Sequence, residues 1–113
     1  MPDPTLPPAP VAPATSWNPD LIFPVLADPA RRKLLLALAR GGPRPGTVLK
    51  TSAGRRLDAT LKHLAAMRSA GLVVVQPDRE DGRRQLYGLA PSVPLVKTEA
   101  GNVIDFGFCL LRL

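Results

Sequence analysis

Residues 47–75 read "TVLKTSAGRRLDATLKHLAAMRSAGLVVV". Two helical stretches meet at a single glycine, and the second runs into three consecutive valines. The first is a short helix, roughly Thr47–Ala53, expected to turn Val48 and Leu49 inward. Gly54 ends it, because glycine takes positive φ without steric cost. In the second, Leu57, Leu61, Leu64 and Ala65 form an apolar stripe at helical spacing, and Ala70-Gly71 stops it. From Arg56 to Ala70 this helix is about 22 Å long at ~1.5 Å per residue.

The segments on either side supply the remaining elements. In "SWNPDLIFPVLADPARRKLLLALARGG", Ser16 or Asn18 can cap a short helix near Pro19–Val25, with Pro24 straining its end. Asp28 caps a second helix, Pro29 suits its first position and Gly41-Gly42 terminates it. Ala30, Leu34, Leu35, Leu38 and Ala39 share one face of that helix; Arg31, Arg32 and Arg40 take the other. After the valines, "GLVVVQPDREDGRRQLYGLA" reads as a hairpin of strands Leu72–Gln76 and Arg84–Leu89, turning at Asp81-Gly82. "PLVKTEAGNVIDFGFCLLRL" reads as a second hairpin that turns at Glu99–Asn102, with one last strand from Val103 to the end.

Helix, helix, short helix, long helix and hairpin describe an α+β fold: a winged helix-turn-helix of three to four helices and a β-hairpin wing, here with a C-terminal β-hairpin extension. The expected division is a disordered proline-rich tail over 1–16, which holds six of the fourteen prolines, the winged helix over 17–90, and the extension over 91–113. At 113 residues the chain can bury one modest core.

The chain carries a net charge of +6. Residues 28–90 contain thirteen Lys and Arg against five Asp and Glu, a net of +8, so the whole excess lies in the motif. A basic domain of this kind suits a polyanion: nucleic acid first, an anionic membrane surface second. No stretch approaches the ~20 apolar residues of a membrane span, and "MPDPTLPPAP" has neither a basic nor an apolar leader region. The single cysteine, Cys109, allows no intrachain disulfide and fits a reducing cytoplasm. No paired carboxylates, nucleophile–base set or phosphate loop stands out, so an enzyme is not expected, nor a cofactor.

"LADPARRKLLLALARGG" resembles the first-helix opening of ArsR-type bacterial repressors. "TLKHLAAMRSAGLVVVQPDREDGRRQLYGL" resembles their recognition helix and wing, and the resemblance covers about residues 22–90. It implies a homodimeric transcriptional regulator that reads duplex DNA in response to an effector the sequence does not name. Three features depart from the family pattern. Arg55 follows the turn glycine where an apolar residue is usual. The chain closes with a hairpin in place of a dimerising helix. "TVLKTSA" carries no Cys-x-Cys pair, so no metal response is expected.

A recognition helix reads the major groove, mostly with its N-terminal residues. With the leucines inward, Arg55, Arg56, Thr60 and Lys62 are the expected DNA contacts, Arg56 bidentate to guanine and Lys62 on phosphate. Cations sit poorly at a helix N-terminus, and a phosphate partner relieves that conflict. His63 lacks companion metal ligands and is read as a phosphate contact or a packed ring. Arg79, Arg83 and Arg84 surround the wing turn, where backbone or minor-groove contact competes with solvation beside Asp78, Glu80 and Asp81. Arg31 and Arg32 are candidate phosphate contacts. Tyr87 reads as packing, and Trp17 as a staple for the first helix. In "VIDFGFCLLRL", Ile104, Phe106, Phe108 and Leu110 alternate on one face, which is the expected dimerisation surface. The competing expectation is a winged-helix scaffold that docks a protein partner through this hairpin, with no use of DNA.

Overall fold

Both capping signals form. Asn18 Oδ1 accepts from the Asp20 N–H at 2.9 Å, and Asp28 Oδ1 accepts from the Ala30 N–H at 2.8 Å. Each satisfies an amide that the helix itself leaves free, a stabilisation of about 1 kcal/mol. These caps open helices α1 (Pro19–Leu26) and α2 (Pro29–Gly41) in a computed structural model that describes residues 17–113. The expected tail, 1–16, lies outside the described residues. Strand β1 (Arg44–Pro45), α3 (Gly46–Ala53) and α4 (Leu57–Ser69) follow, then β2 (Val73–Pro77) and β3 (Gln85–Leu89), and finally β4 (Leu95–Thr98), β5 (Gly101–Asp105) and β6 (Leu110–Arg112).

The turn between α3 and α4 is set by Gly54, left-handed at φ +66°. Its N–H donates to Thr51 O and the next N–H, of Arg55, reaches back to Lys50 O, both at 3.2 Å. Any side chain here would be strained, which is why the two helices meet so closely. Leu49 is buried as expected and Ala53 is buried beside it, but Val48 is exposed.

The strands form two antiparallel three-stranded sheets, ordered β1-β3-β2 and β4-β5-β6. Strand β1, which local pattern does not reveal, pairs Arg44 with Tyr87 and so ties the entry of α3 to the wing. In the wing, Val75 pairs with Tyr87 and Pro77 with Gln85.

The C-terminal segment departs from expectation. It is a three-stranded meander, because the chain reverses after Asp105. Asp105 Oδ1 accepts the Gly107 N–H at 2.8 Å, Gly107 adopts φ +90°, and the Phe106 N–H donates to Cys109 O. This turn breaks the alternation on which the expected dimer face rests. Ile104 is 0% and Phe106 6% exposed, and both belong to the buried cluster that includes Ile22, Leu34, Leu35, Leu64 and Leu72. Only Phe108 and Leu110 of the expected four remain at the surface. Trp17 packs edge-on to Phe106, centroids 5.5 Å apart, and so holds the entry of α1 against the C-terminal sheet.

Candidate nucleic-acid interface

The inward face of α4 is made by Thr60, Leu64 and Met67. It is turned by about 80° from the stripe of Leu57, Leu61, Leu64 and Ala65, at ~100° per residue. Leu61 and Ala65 are exposed and Leu57 is half-buried. The outward face is therefore Asp58, Leu61, Lys62, Ala65, Arg68 and Ser69.

This rotation sorts the expected contacts. Arg55, Arg56 and Lys62 stand in solvent at the start and on the outer side of α4. Thr60 does not: it is 0% exposed, and its hydroxyl donates to Arg56 O at 2.9 Å. The bond satisfies the buried hydroxyl, and Thr60 cannot reach a base. His63 is also turned away. Its Nδ1 accepts from Arg31 Nε at 3.0 Å, its Nε2 lies 3.9 Å from Asp28 Oδ2, and its side chain is only 17% exposed. It braces α4 against the start of α2. Burial pushes the Asp28 carboxyl up, but the Ala30 N–H and the nearby His63 ring outweigh this and hold it below the usual carboxylate value. Arg31 and Arg32 bond the carbonyls of Pro24 and Leu26, so they close the α1–α2 corner.

The N-termini of α3 and α4 differ from those of α1 and α2, for neither receives a side-chain cap. Arg55 and Arg56 flank the open amides of α4, where Lys50, Thr51 and Asp58 complete an open depression. The Arg56–Asp58 pair spans 3.8 Å with both side chains largely in water, so it holds neither group firmly.

The wing turn is braced internally. Asp78 accepts the Glu80 N–H at 3.0 Å and pairs with Arg84 at 3.4 Å. Asp81 accepts the Arg83 N–H at 3.1 Å. Arg83 and Arg84 border a groove of about 550 Å³ that α4 lines from the other side with Leu57, Leu61 and Arg68. Arg79 lines the opposite side of the hairpin, with Glu80 and Leu86. The three wing arginines therefore do not form one cluster. Arg68 was missed from sequence, although it lies two turns beyond Leu61 on the same side of the helix.

Two helices joined at a left-handed glycine, with the second flanked by a β-hairpin across a basic groove, match several solved structures. A homodimeric winged helix-turn-helix DNA-binding domain from Mycobacterium bovis, described as a possible ArsR-family regulator, is 31% identical. The match has a TM-score of 0.56 and covers 63% of this chain and 62% of that one. The fold is a winged helix-turn-helix. A transcriptional repressor, CouR, solved on a 23-mer DNA duplex, is 26% identical with a TM-score of 0.55, over 65% of this chain and 51% of that one. A protein described as a probable transcriptional regulator from Pseudomonas aeruginosa shares the fold at 24% identity and a TM-score of 0.55, over 65% and 58% of the two chains. The winged helix thus spans roughly half to three fifths of the length of these proteins. No protein-family model and no curated protein matches the chain.

Proposed function

We propose that this winged helix binds duplex DNA as a homodimeric transcriptional regulator of ArsR-like type, with the outward face of α4 in the major groove. The observation that carries this reading is the placement of charge. Arg68 of α4 and Arg83 and Arg84 of the wing border one groove, and Arg55 and Arg56 flank a second depression at the start of α4, within a segment of net charge +8. Arg55 and Arg56 approach at the helix start, Lys62 from its outer face, and Arg83 and Arg84 from the wing; Arg79 reaches DNA only if the hairpin tip enters the minor groove. No helix among the described residues is long and apolar enough to cross a membrane. A gel shift with random duplex DNA tests the reading directly. No retardation at micromolar protein would favour the protein-docking scaffold.

The two arginine sites separate by kind of contact. Arg56→Ala is expected to cost about 1–3 kcal/mol and to relax sequence preference, because it removes a base contact. Arg83→Ala is expected to weaken all sequences alike. Affinities of both variants measured across a selected-site library decide this, and equal sequence-blind losses would place the recognition face elsewhere.

The self-association surface is redrawn around α1 and the C-terminal turn. Phe23, Phe108 and Leu110 are exposed, and the Phe23 and Phe108 rings meet edge to face at 5.2 Å. A twofold-related copy covers such a patch with itself, and twofold symmetry suits paired DNA half-sites. Replacing Leu110, the most exposed of these at 64%, by aspartate is expected to leave the fold intact, yield a monomer in light scattering and lower DNA affinity at least 10-fold. A full-length protein that is already monomeric at micromolar concentration would remove this surface.

A further inference from the structure

The groove between α4 and the wing has a composition of its own. Its deeper wall is apolar: Leu57 and Tyr87 are half-buried, and Leu61 lies beside them with 38% of its surface exposed. A Cβ on Gly46 would stand 3.0 Å from Leu61 Cδ2, so the leucine is seated against the start of α3. The rim is cationic, with Arg68 on the helix side and Arg83 and Arg84 on the wing side. Arg84 is shared with Asp78. Arg68 and Arg83 have no carboxylate partner among the described residues. The Tyr87 hydroxyl makes no hydrogen bond among them either.

An apolar wall beneath free guanidinium groups suits a chain that alternates apolar and anionic faces. A DNA strand does so, with deoxyribose C–H faces between phosphates. One sugar-phosphate strand also divides the major groove from the minor groove. A helix in the first and a hairpin tip in the second must straddle that strand. We infer that one DNA strand runs along this groove, with deoxyribose on Leu57, Leu61 and Tyr87, and a phosphate held between Arg68 and Arg83. Arg68 becomes a DNA contact at the end of α4 remote from Arg55 and Arg56. Its charge also lies at the helix C-terminus, where a cation is favoured, so it stays presented without a carboxylate to hold it.

The inference rests on the DNA reading above, and one titration separates the two. Binding of a random-sequence 25-base-pair duplex is followed by fluorescence anisotropy over a salt series. The variants are Arg68→Ala, Arg68→Lys and Leu61→Glu, with Lys97→Ala on β4 as control. Arg68→Ala is expected to weaken binding roughly 3- to 10-fold, alike on all sequences, and to flatten the log–log salt slope by about one per subunit. Arg68→Lys should restore most of the slope, since it keeps the charge. Leu61→Glu should lose more than Arg68→Ala, because it sets a carboxylate against the strand, and Lys97→Ala should bind as the parent does. If the parent binds no duplex, the DNA reading fails and this inference with it. If the parent binds, and Arg68→Ala keeps both affinity and slope, the inference alone is overturned. Should Leu61→Glu fail to fold, Arg68→Ala by itself decides the outcome.

Discussion

Ile104→Ala is expected to destabilise the whole fold by about 3 kcal/mol, within the usual range for deleting a buried isoleucine side chain. Ile104 is fully buried in the cluster that contains Leu34, Leu35 and Leu64, so the cavity opens against the helices as well as the sheet. In a domain of this size each kcal/mol shifts the midpoint by roughly 4–8 °C, so the melting temperature should fall by more than about 10 °C. The loss should be the same at every protein concentration. A residue that only joined two copies would instead give a melting temperature that converges with the parent's on dilution. Phe106→Ala should behave alike, since its ring also supports Trp17. Thermal melts of both variants over a hundredfold range of concentration check this. A concentration-dependent loss would return these two residues to the interface that their alternation in sequence implies. A chain shortened to Pro94 loses both side chains from the core, so it should be insoluble, not merely monomeric.

Raising salt from 50 to 200 mM is expected to lower duplex affinity by about 10⁴. The motive is the net +8 over residues 28–90. If a dimer neutralises on the order of eight phosphates, the logarithm of the association constant falls with the logarithm of salt at a slope near −7. Internal bonding decides which cations are left to supply this number. Arg84 is shared with Asp78, Arg31 is spent on His63 and Arg56 is assigned to a base, so the cations left for phosphate are Arg55, Lys62, Arg68 and Arg83 in each subunit, about eight in a dimer. A slope shallower than about −3 would mean that fewer than half of these meet phosphate. A flat response would exclude a nucleic-acid partner for this surface.

What could be read from the sequence is local. Asp28 with Pro29, Gly54, Ala70-Gly71 and Asp81-Gly82 mark where elements begin, end or turn, because each acts through backbone atoms within four residues of itself. The caps, the close helix pair and the hairpin accordingly stand where they were expected. The apolar spacing of α2 also sufficed, since Ala30, Leu34, Leu35 and Leu38 form the one stripe that helix offers.

Helix α4 offers two stripes, and only tertiary packing chose between them. Thr60, Leu64 and Met67 run at the same spacing as Leu57, Leu61 and Leu64. A threonine is buried in preference to two leucines because its hydroxyl bonds to Arg56 O within the helix, which leaves Leu57 and Leu61 to line the wing groove. The same holds for His63, whose partners Arg31 and Asp28 lie more than thirty residues away at the start of α2, and for β1, which pairs with β3. At the C-terminus, alternation in "VIDFGFCLLRL" suggests one strand. Asp105 and Gly107 instead turn the chain back and carry Ile104 and Phe106 into the core. Capping and turn chemistry are decided by neighbours in sequence; the choice of buried face is decided by elements that meet only once the chain has folded.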